Sequence, residues 1–551
     1  MNKDENIKNN TNAVDGTKQR EEIHKRIWDV ANSLRGSIDG WDFKVYVLTI
    51  MFYKYLSQKL VNSLKKDDDV DYASMSDEEA LPYKTDIISN YGFFMLPSEL
   101  FGNLLKKAPT DQNLNKNLKK IFENIENYVK DSKTYPNFKG LFQDFNFNKL
   151  VGNNSDTNQI NQKLVELLQK INDMEIGAYD QANVDPFGDA YEFLIGMYSS
   201  NAGKSGGEFF TPQEVSKLLM KLAISNFANK KTDIGDIYDP ACGSGSLLLQ
   251  AVKLLGKNNF HDLKGQEINS TTYNLCRMNM FLHDVEPERF DIVCDDTLTH
   301  PAFKDDVTKG KKFDIIVSNP PYSIKWKGSD DPLLINDDRY KSAGVLAPKT
   351  KADLAFIMHA LYYLSERGTA CIVCFPGILY RGGAEKKIRE YLVNEGVIDA
   401  IIQLPANLFY GTGIATDIMV LRKNRNNSGE IFFIDASNEF IKVKNNNKLT
   451  DENINKIVNI YHEKKDVPYI AKMVKIDLIK ENDYSLNVAK YVEKKDETPK
   501  IDINKLNAEI AEIVKKSDEL RKAINELTEN IKVTDNHDSN NDSTTNNQMK
   551  N

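Results

Sequence analysis

The sequence predicts an α/β protein: a doubly wound, mostly parallel seven-stranded sheet, preceded by an all-helical domain and followed by a coiled-coil helix. Between residues 18 and 200 apolar residues recur every three or four positions, as in FKVYVLTIMFYKYLSQKL, which is the period of an amphipathic helix. From about residue 201 to 425 short β-rich runs alternate with helical stretches such as SLLLQAVKLL and AEKKIREYLV, the rhythm of βαβ units. Later, Ile503, Leu506, Ile510, Ile513, Ser517, Leu520, Ile524, Leu527 and Ile531 are spaced 3-4-3-4, a coiled-coil heptad with one polar position in its seam.

Taken in order, residues 1–17 are rich in Asn, Lys and Asp and read as a disordered tail. Residues 18–200 form the helical domain and 201–425 the sheet, and 426–498 is a mixed connector that completes it. Residues 499–533 are the coiled-coil helix, whose seam needs another helix to bury it, and 534–551 a low-complexity tail. The expected strands are Asp236 to Pro240, Leu263 to Glu267, Phe290 to Cys294, Phe313 to Ser318, Thr369 to Phe375, Ile398 to Leu404 and Asp417 to Leu421. In such sheets ligands collect at the carboxyl ends of the strands.

Composition narrows the function. The net charge is −8, whereas phosphate binding wants clustered Lys and Arg, so a nucleic-acid role would need basic surface from a partner. Five cysteines in 551 residues argue for a reducing compartment rather than a disulfide framework. Cys371 and Cys374 form a C-x-x-C inside a strand, where period-two alternation sends them to opposite faces, and no metal-ligand cluster emerges. The run Val45 to Tyr53 is far shorter than the roughly 20 apolar residues of a membrane span, and MNKDENIKNN lacks a signal-peptide core. A soluble, cytoplasmic protein with no membrane contact is expected.

A cofactor site is predicted after the first strand, in DPACGSGSLL from Asp239. Gly243 and Gly245 allow close approach of a ligand, and the helix that follows presents free N–H groups. The spacing is neither G-x-G-x-x-G nor G-x-x-x-x-G-K-[ST], which disfavours a dinucleotide and phosphate transfer from ATP. Glu267, 22 residues beyond Gly245, is placed to accept both ribose hydroxyls of a nucleoside. A nucleoside without pyrophosphate fits best, which is S-adenosylmethionine. Asp295 and Asp296, at the end of the third strand, are both candidates for the adenine. Upstream, GGEFFTPQEV leads into a helix beginning near Gln213. Thr211 there reads as an N-cap with Pro212 at the first helical position, while Phe209 and Phe210 are expected over the methionine end of the cofactor.

SNPPY, residues 318 to 322, ends the fourth strand on the same side. The nitrogen of an exocyclic base amine or a carboxamide is a poor nucleophile because its lone pair is delocalised. The Asn319 side-chain carbonyl and the Pro320 carbonyl can hold its two hydrogens and aim the lone pair at a sulfonium methyl. Pro320 and Pro321 fix φ and add no competing donor, and Tyr322 offers a stacking face. Carbon-5 methylation of cytosine would need a nucleophilic cysteine, typically in Pro-Cys, which this chain lacks. The loop beyond, with Lys325, Lys327, Arg339, Lys341, Lys349, Lys351, Trp326 and Tyr340, could grip phosphates and fill the stack vacated by a flipped base. A protein-glutamine N-methyltransferase and a catalytically inactive DNA-binding scaffold are the competing readings.

GEFFTP, DPACGSGSLL, GQEIN, DDTL and SNPPY, in that order and joined by DPFGDAYEFLIG and LPANLFYGTGIATDIMVL, resemble the methylation subunits of type I restriction-modification systems. The likeness covers roughly residues 20 to 530. It implies the S-adenosylmethionine-dependent methyltransferase fold and methyl transfer to N6 of adenine in double-stranded DNA. It implies cofactor contacts from Glu208, Phe209, Phe210, Thr211, Pro212, Gln213, Ser244, Gly245, Ser246 and Glu267, favours Asp296 over Asp295, and gives Asn319 to Tyr322 the target adenine. CDDTL carries Asp295 where the family commonly has glycine. A separate specificity subunit, with two methylation subunits docked on its helices, would read the site, because no target-recognition region fits in this chain. The helical domain would clamp DNA, and restriction subunits bearing nuclease and translocase activity are an optional third component.

Overall fold

The computed structural model describes residues 25, 42–150, 156–174, 188, 190–194, 211–227, 234–304, 311–409, 413–425, 429–443, 446–494 and 502–529. They fall into two compact units, divided after Lys494.

The first unit opens with helices α1 (Asp42–Asp68), α2 (Leu114–Tyr128) and α3 (Thr157–Asp173). The apolar repeat seen in FKVYVLTIMFYKYLSQKL is buried along α1 from Tyr46 to Leu64. A capping box between Asp156 and Gln159 starts α3, satisfying N–H groups that the first turn leaves free.

A nine-stranded sheet follows. Its strands are β1 (Ile237–Asp239), β2 (Leu263–Glu267), β3 (Phe290–Cys294), β4 (Phe313–Ser318), β5 (Leu364–Cys374), β6 (Ile398–Gln403), β7 (Asp417–Leu421), β8 (Glu430–Asp435) and β11 (Ala471–Lys475), while β9 (Ile441–Val443) and β10 (Asn446–Lys448) form a separate hairpin. The order is β11-β8-β6-β7-β5-β4-β1-β2-β3. Neighbours from β3 to β5 are parallel, β7 lies antiparallel between β5 and β6, and β8 is parallel to β6. All seven strands expected from the sequence are present. The two beyond them come from the segment read as a connector: EIFFID is apolar enough to be buried on both faces, and β11 closes the edge antiparallel to it.

Helices cover both faces. Crossovers α5 (Ser246–Leu255) and α6 (Ser270–Leu282), with α4 (Gln213–Ser225), belong to one layer, and α7 (Asp353–Tyr363) and α8 (Ala384–Asn394) to the other. Strand alternation sorts the side chains, so Ile315, Val317 and Cys371 join the first core and Ile316 and Cys374 the second, while an irregularity between Phe313 and Ile315 turns Phe313 to the second core as well. The two cysteines of C-x-x-C therefore do point to opposite faces.

The N-terminal helices share the first core. Phe281 of α6 lies 5.8 Å from Phe52 and 4.7 Å from Phe138 between ring centroids. Arg277, buried beneath them, donates to the carbonyls of Pro136 at 3.1 Å and Lys139 at 2.9 Å. Each buried phenylalanine contributes about 1.5–3 kcal/mol, so the helical region is welded to the sheet. Among the described residues no helix is long and apolar enough to cross a membrane.

The second unit is α10 (Ile503–Glu529), numbered after α9 (Asp451–Glu463). None of its residues is buried, and Ile503, Leu506, Ile510, Ile513, Leu520, Ile524 and Leu527 are all exposed. Ile531 and both tails lie outside the described residues.

Candidate active site

A cleft of about 420 Å³ opens at the carboxyl ends of β1, β2 and β4. Its floor is the turn DPACGSG. Gly243 has φ +53° with open space where a side chain would stand, and Gly245 has φ +82°. A Cβ on Gly245 would come within 2.8 Å of both Cys276 Sγ and Met280 Cε, so this glycine is needed for conformation and for packing of α5 against α6. Asn279 of α6 braces the turn by donating to the Ser244 carbonyl at 2.9 Å.

Glu267 ends β2 with one carboxylate oxygen accepting from the Gly243 N–H at 3.0 Å and the other from the Asn269 N–H at 2.8 Å. Asn269 in turn caps α6 by accepting from the Thr272 N–H. The acid is thus fixed by backbone donors on both sides, at the rim of the cleft it lines. Asp296 lines the same cleft and is held by the Leu298 N–H at 2.9 Å and the Thr299 hydroxyl at 2.6 Å. Asp295 faces His300 at 3.4 Å and does not line it.

Beneath the turn, Asp239 is fully buried. One of its oxygens accepts from the Ala241 N–H at 3.0 Å and the Ser318 hydroxyl at 2.8 Å, while the other has no hydrogen-bond partner among the described residues. Burial pushes its carboxyl up to about 7, against those two hydrogen bonds and with Glu267 adding to the rise. An orphaned carboxylate oxygen under a glycine turn suits a cationic ligand, since an unpaired buried charge is costly.

Across the cleft stand Asn319 and Pro321. The Asn319 amide is held at both ends: Nδ2 donates to Thr211 Oγ1 at 2.9 Å, and the Tyr322 hydroxyl donates to Oδ1 at 2.6 Å. Ser323, just after the motif, adopts φ +52°, uncommon outside glycine, and is held there because its N–H donates to both oxygens of Asp353 at 3.1 Å.

Of the sequence-predicted cofactor residues, Thr211, Gly243, Ser244, Ser246, Glu267 and Asp296 line the cleft, and Pro212, Gln213, Asp239 and Gly245 support it from outside. Pro320 and Tyr322 also stand outside the lining. Glu208, Phe209 and Phe210 lie outside the described residues. Two readings are corrected. Thr211 is not an N-cap: the Ser216 N–H donates to the Pro212 carbonyl, which puts the cap on Pro212, a residue with no side-chain acceptor, and the Thr211 hydroxyl meets Asn319 instead. Arg339 and Tyr340 do not face phosphate: Arg339 is 3% exposed, donating to the carbonyls of Thr297 and Leu298 at 2.9 Å and paired with Asp337, and Tyr340 packs beside it. Lys341 and Lys349 are taken up by Asp338 and Asp330, leaving Lys325 and Trp326 at the cleft.

The cleft also holds residues that sequence reasoning passed over. Ile268 is 69% exposed directly after Glu267, and a bare apolar residue at a strand's carboxyl end was a readable signal. Phe356 arrives from α7, with nothing local to announce it.

Fold and cleft together define a methyltransferase of the S-adenosylmethionine-dependent kind. The N-6 DNA Methylase family model matches residues 182–500, and that of the HsdM N-terminal domain residues 23–171. The type I restriction enzyme MpnII methylase subunit of Mycoplasma pneumoniae is 48% identical, over 95% of this chain and 99% of the relative. The MjaVII methylase subunit of Methanocaldococcus jannaschii is 32% identical, over 89% and 81%. A crystal structure of a type I restriction-modification system methyltransferase subunit from Streptococcus thermophilus has 33% identity and a TM-score of 0.77, covering 86% of this chain and 100% of that one. The chain belongs to the N-6 DNA methylase family, among the methylase subunits of type I restriction enzymes.

Proposed function

We propose that the cleft holds S-adenosylmethionine and that Asn319–Pro320–Pro321–Tyr322 presents an adenine amino group to it. The activity is that of the family, an adenine-specific DNA methyltransferase working within a multisubunit complex with DNA. Protein-glutamine methylation and an inactive scaffold are not favoured.

When bound, the cofactor supplies an electrophilic methyl group on a sulfonium. Glu267 would take the ribose hydroxyls and Asp296 the adenine, with the 243–246 turn against the chain between them and Asp239, from beneath that turn, favouring the positive charge through space. Asn319 Oδ1 and the Pro320 carbonyl hold the target amine by accepting its hydrogens, which localises the nitrogen lone pair. Asp353 keeps the turn after Tyr322 in place, so the prolines carry their carbonyls on a fixed mount. Positioning supplies most of the rate, and the adenine must first leave the duplex, at a cost of a few kcal/mol. The bare apolar seam of α10 fits a helix of a specificity subunit, two methylation subunits to one, with restriction subunits as a further component.

The observation that carries this reading is the Asn319 amide, clamped at both ends on the wall of a cleft whose floor is the glycine turn. Co-expressing the chain with a specificity subunit should produce N6-methyladenine in host DNA, and Asn319→Ala should lower its formation by about 10²–10³-fold with cofactor binding unchanged. Full activity in Asn319→Ala would remove the motif from the reaction. Robust site-specific methylation by the chain alone would remove the specificity subunit.

A further inference from the structure

Thr211 belongs to a stretch that the family resemblance assigns to cofactor contact as a block, yet its hydroxyl is committed elsewhere. It accepts from Asn319 Nδ2 at 2.9 Å across 108 positions of chain, and the two residues are only 6% and 9% exposed. Both line the cleft.

We infer that Thr211 is a positioning residue for methyl transfer, setting the plane of the Asn319 amide so that its carbonyl faces the target amine. The inference rests on the reading of Asn319 given above. The last torsion of an asparagine side chain is soft and broad, so nothing within Asn319 fixes that plane. Tyr322 alone fixes one end, about which the amide could still swing. With Thr211 at the other end the plane is set by two points. Oδ1 keeps a second lone pair in that plane, beyond the one used by Tyr322.

The position of Thr211 is itself anchored. Two residues on, the Gln213 side chain donates to Glu192, a buried carboxylate that also pairs with Lys253 of α5 at 2.7 Å. The start of α4 is thereby tied to the helix that follows the cofactor turn, and the distance from Thr211 to the cleft floor is held from both sides. A valine at 211 has nearly the shape of threonine but no acceptor. It would leave a buried N–H without a partner, which is unfavourable enough to pull the amide out of plane, and a displacement of about 1 Å at a reacting group costs about 10²-fold in rate.

The test uses the complex with its specificity subunit and compares Thr211→Val, Thr211→Ser and Thr211→Ala with the parent. Single-turnover methylation should fall about 10–100-fold in Thr211→Val and Thr211→Ala, with the cofactor dissociation constant within about twofold, and Thr211→Ser should restore most of the rate. Wild-type cofactor stoichiometry in each variant reports an intact fold. The inference is overturned if Thr211→Val and Thr211→Ala keep the parental rate, or if they weaken cofactor binding as much as they slow the reaction, since Thr211 would then be a cofactor ligand. Asn319→Ala, run alongside, separates the two ideas: an active Asn319→Ala sinks the reading of the motif, whereas an inactive one beside an active Thr211→Val sinks only the role of Thr211.

Discussion

The sheet has a cavity at each end of its strands, and the larger one carries none of the family's motifs. At the amino ends a groove of about 910 Å³ runs past Asp236, Asp262, Arg289, Asp314 and Arg367. Two of these charges, Asp314 and Arg289, hold loops. Asp314 accepts from the Gly235 N–H at 2.9 Å, the Ser365 hydroxyl at 2.7 Å and the Arg367 guanidinium, and Arg289 donates to the carbonyls of His261 at 2.7 Å and Lys257 at 3.0 Å. The cleft at the carboxyl ends is less than half that volume, about 420 Å³. Among the described residues it has an unpartnered carboxylate oxygen beneath it, on Asp239, and a glycine with open space before it, Gly243. Volume alone does not mark a site. A site keeps polar atoms whose hydrogen-bonding capacity the fold has not spent.

Three substitutions break or sharpen that contrast. Gly245→Val should have the largest effect, because it forces a side chain into the left-handed region and against Cys276 and Met280. The strain and overpacking together cost about 2–5 kcal/mol, and the cofactor-induced rise in thermal midpoint should disappear with them. A variant that binds cofactor normally would show that the turn is not the floor of the site.

Asp239→Asn tests the orphaned oxygen. Folding raises this carboxyl to about 7 from the unfolded carboxylate range near about 4. Between those values the folded state keeps a proton that the unfolded state has lost, so stability falls as pH rises through the window. At about pH 8 the buried charge is almost fully present. Asparagine carries no charge, so the variant without cofactor should be more stable than the parent at pH 8 by about 1–3 kcal/mol, after allowing for its own unpaired N–H. The gain should vanish at pH 5, and cofactor affinity should fall. A loss of stability at pH 8 would mean that the carboxylate is paired in solution.

Asp314→Ala addresses the groove. It should cost about 1–3 kcal/mol through the donors it strands, while the methylation rate per folded molecule stays at the parental value. A specific loss of rate would give the amino end of the sheet a part in the reaction.

Much of the cleft was legible because its chemistry is local. A glycine that needs positive φ, a proline without an N–H and an acid at a strand end each act within a few residues of where they stand. What escaped was set at a distance. Phe356 reaches the cleft from another helix, and Arg339, read as a phosphate grip, is instead drawn into the core by two carbonyls more than 40 residues upstream.

By itself the sequence determined the helix-strand rhythm, the seven strands, the glycine turn after β1, the Asn-Pro-Pro-Tyr stretch at the end of β4 and the heptad of α10, because periodicity and backbone restriction are written into neighbouring residues. Only the tertiary structure decided that β7 runs antiparallel between β5 and β6, that β8 and β11 extend the sheet, and that Thr211 meets Asn319 rather than capping its own helix. Those outcomes depend on which buried polar group finds which partner, and such pairing is settled when the whole core closes.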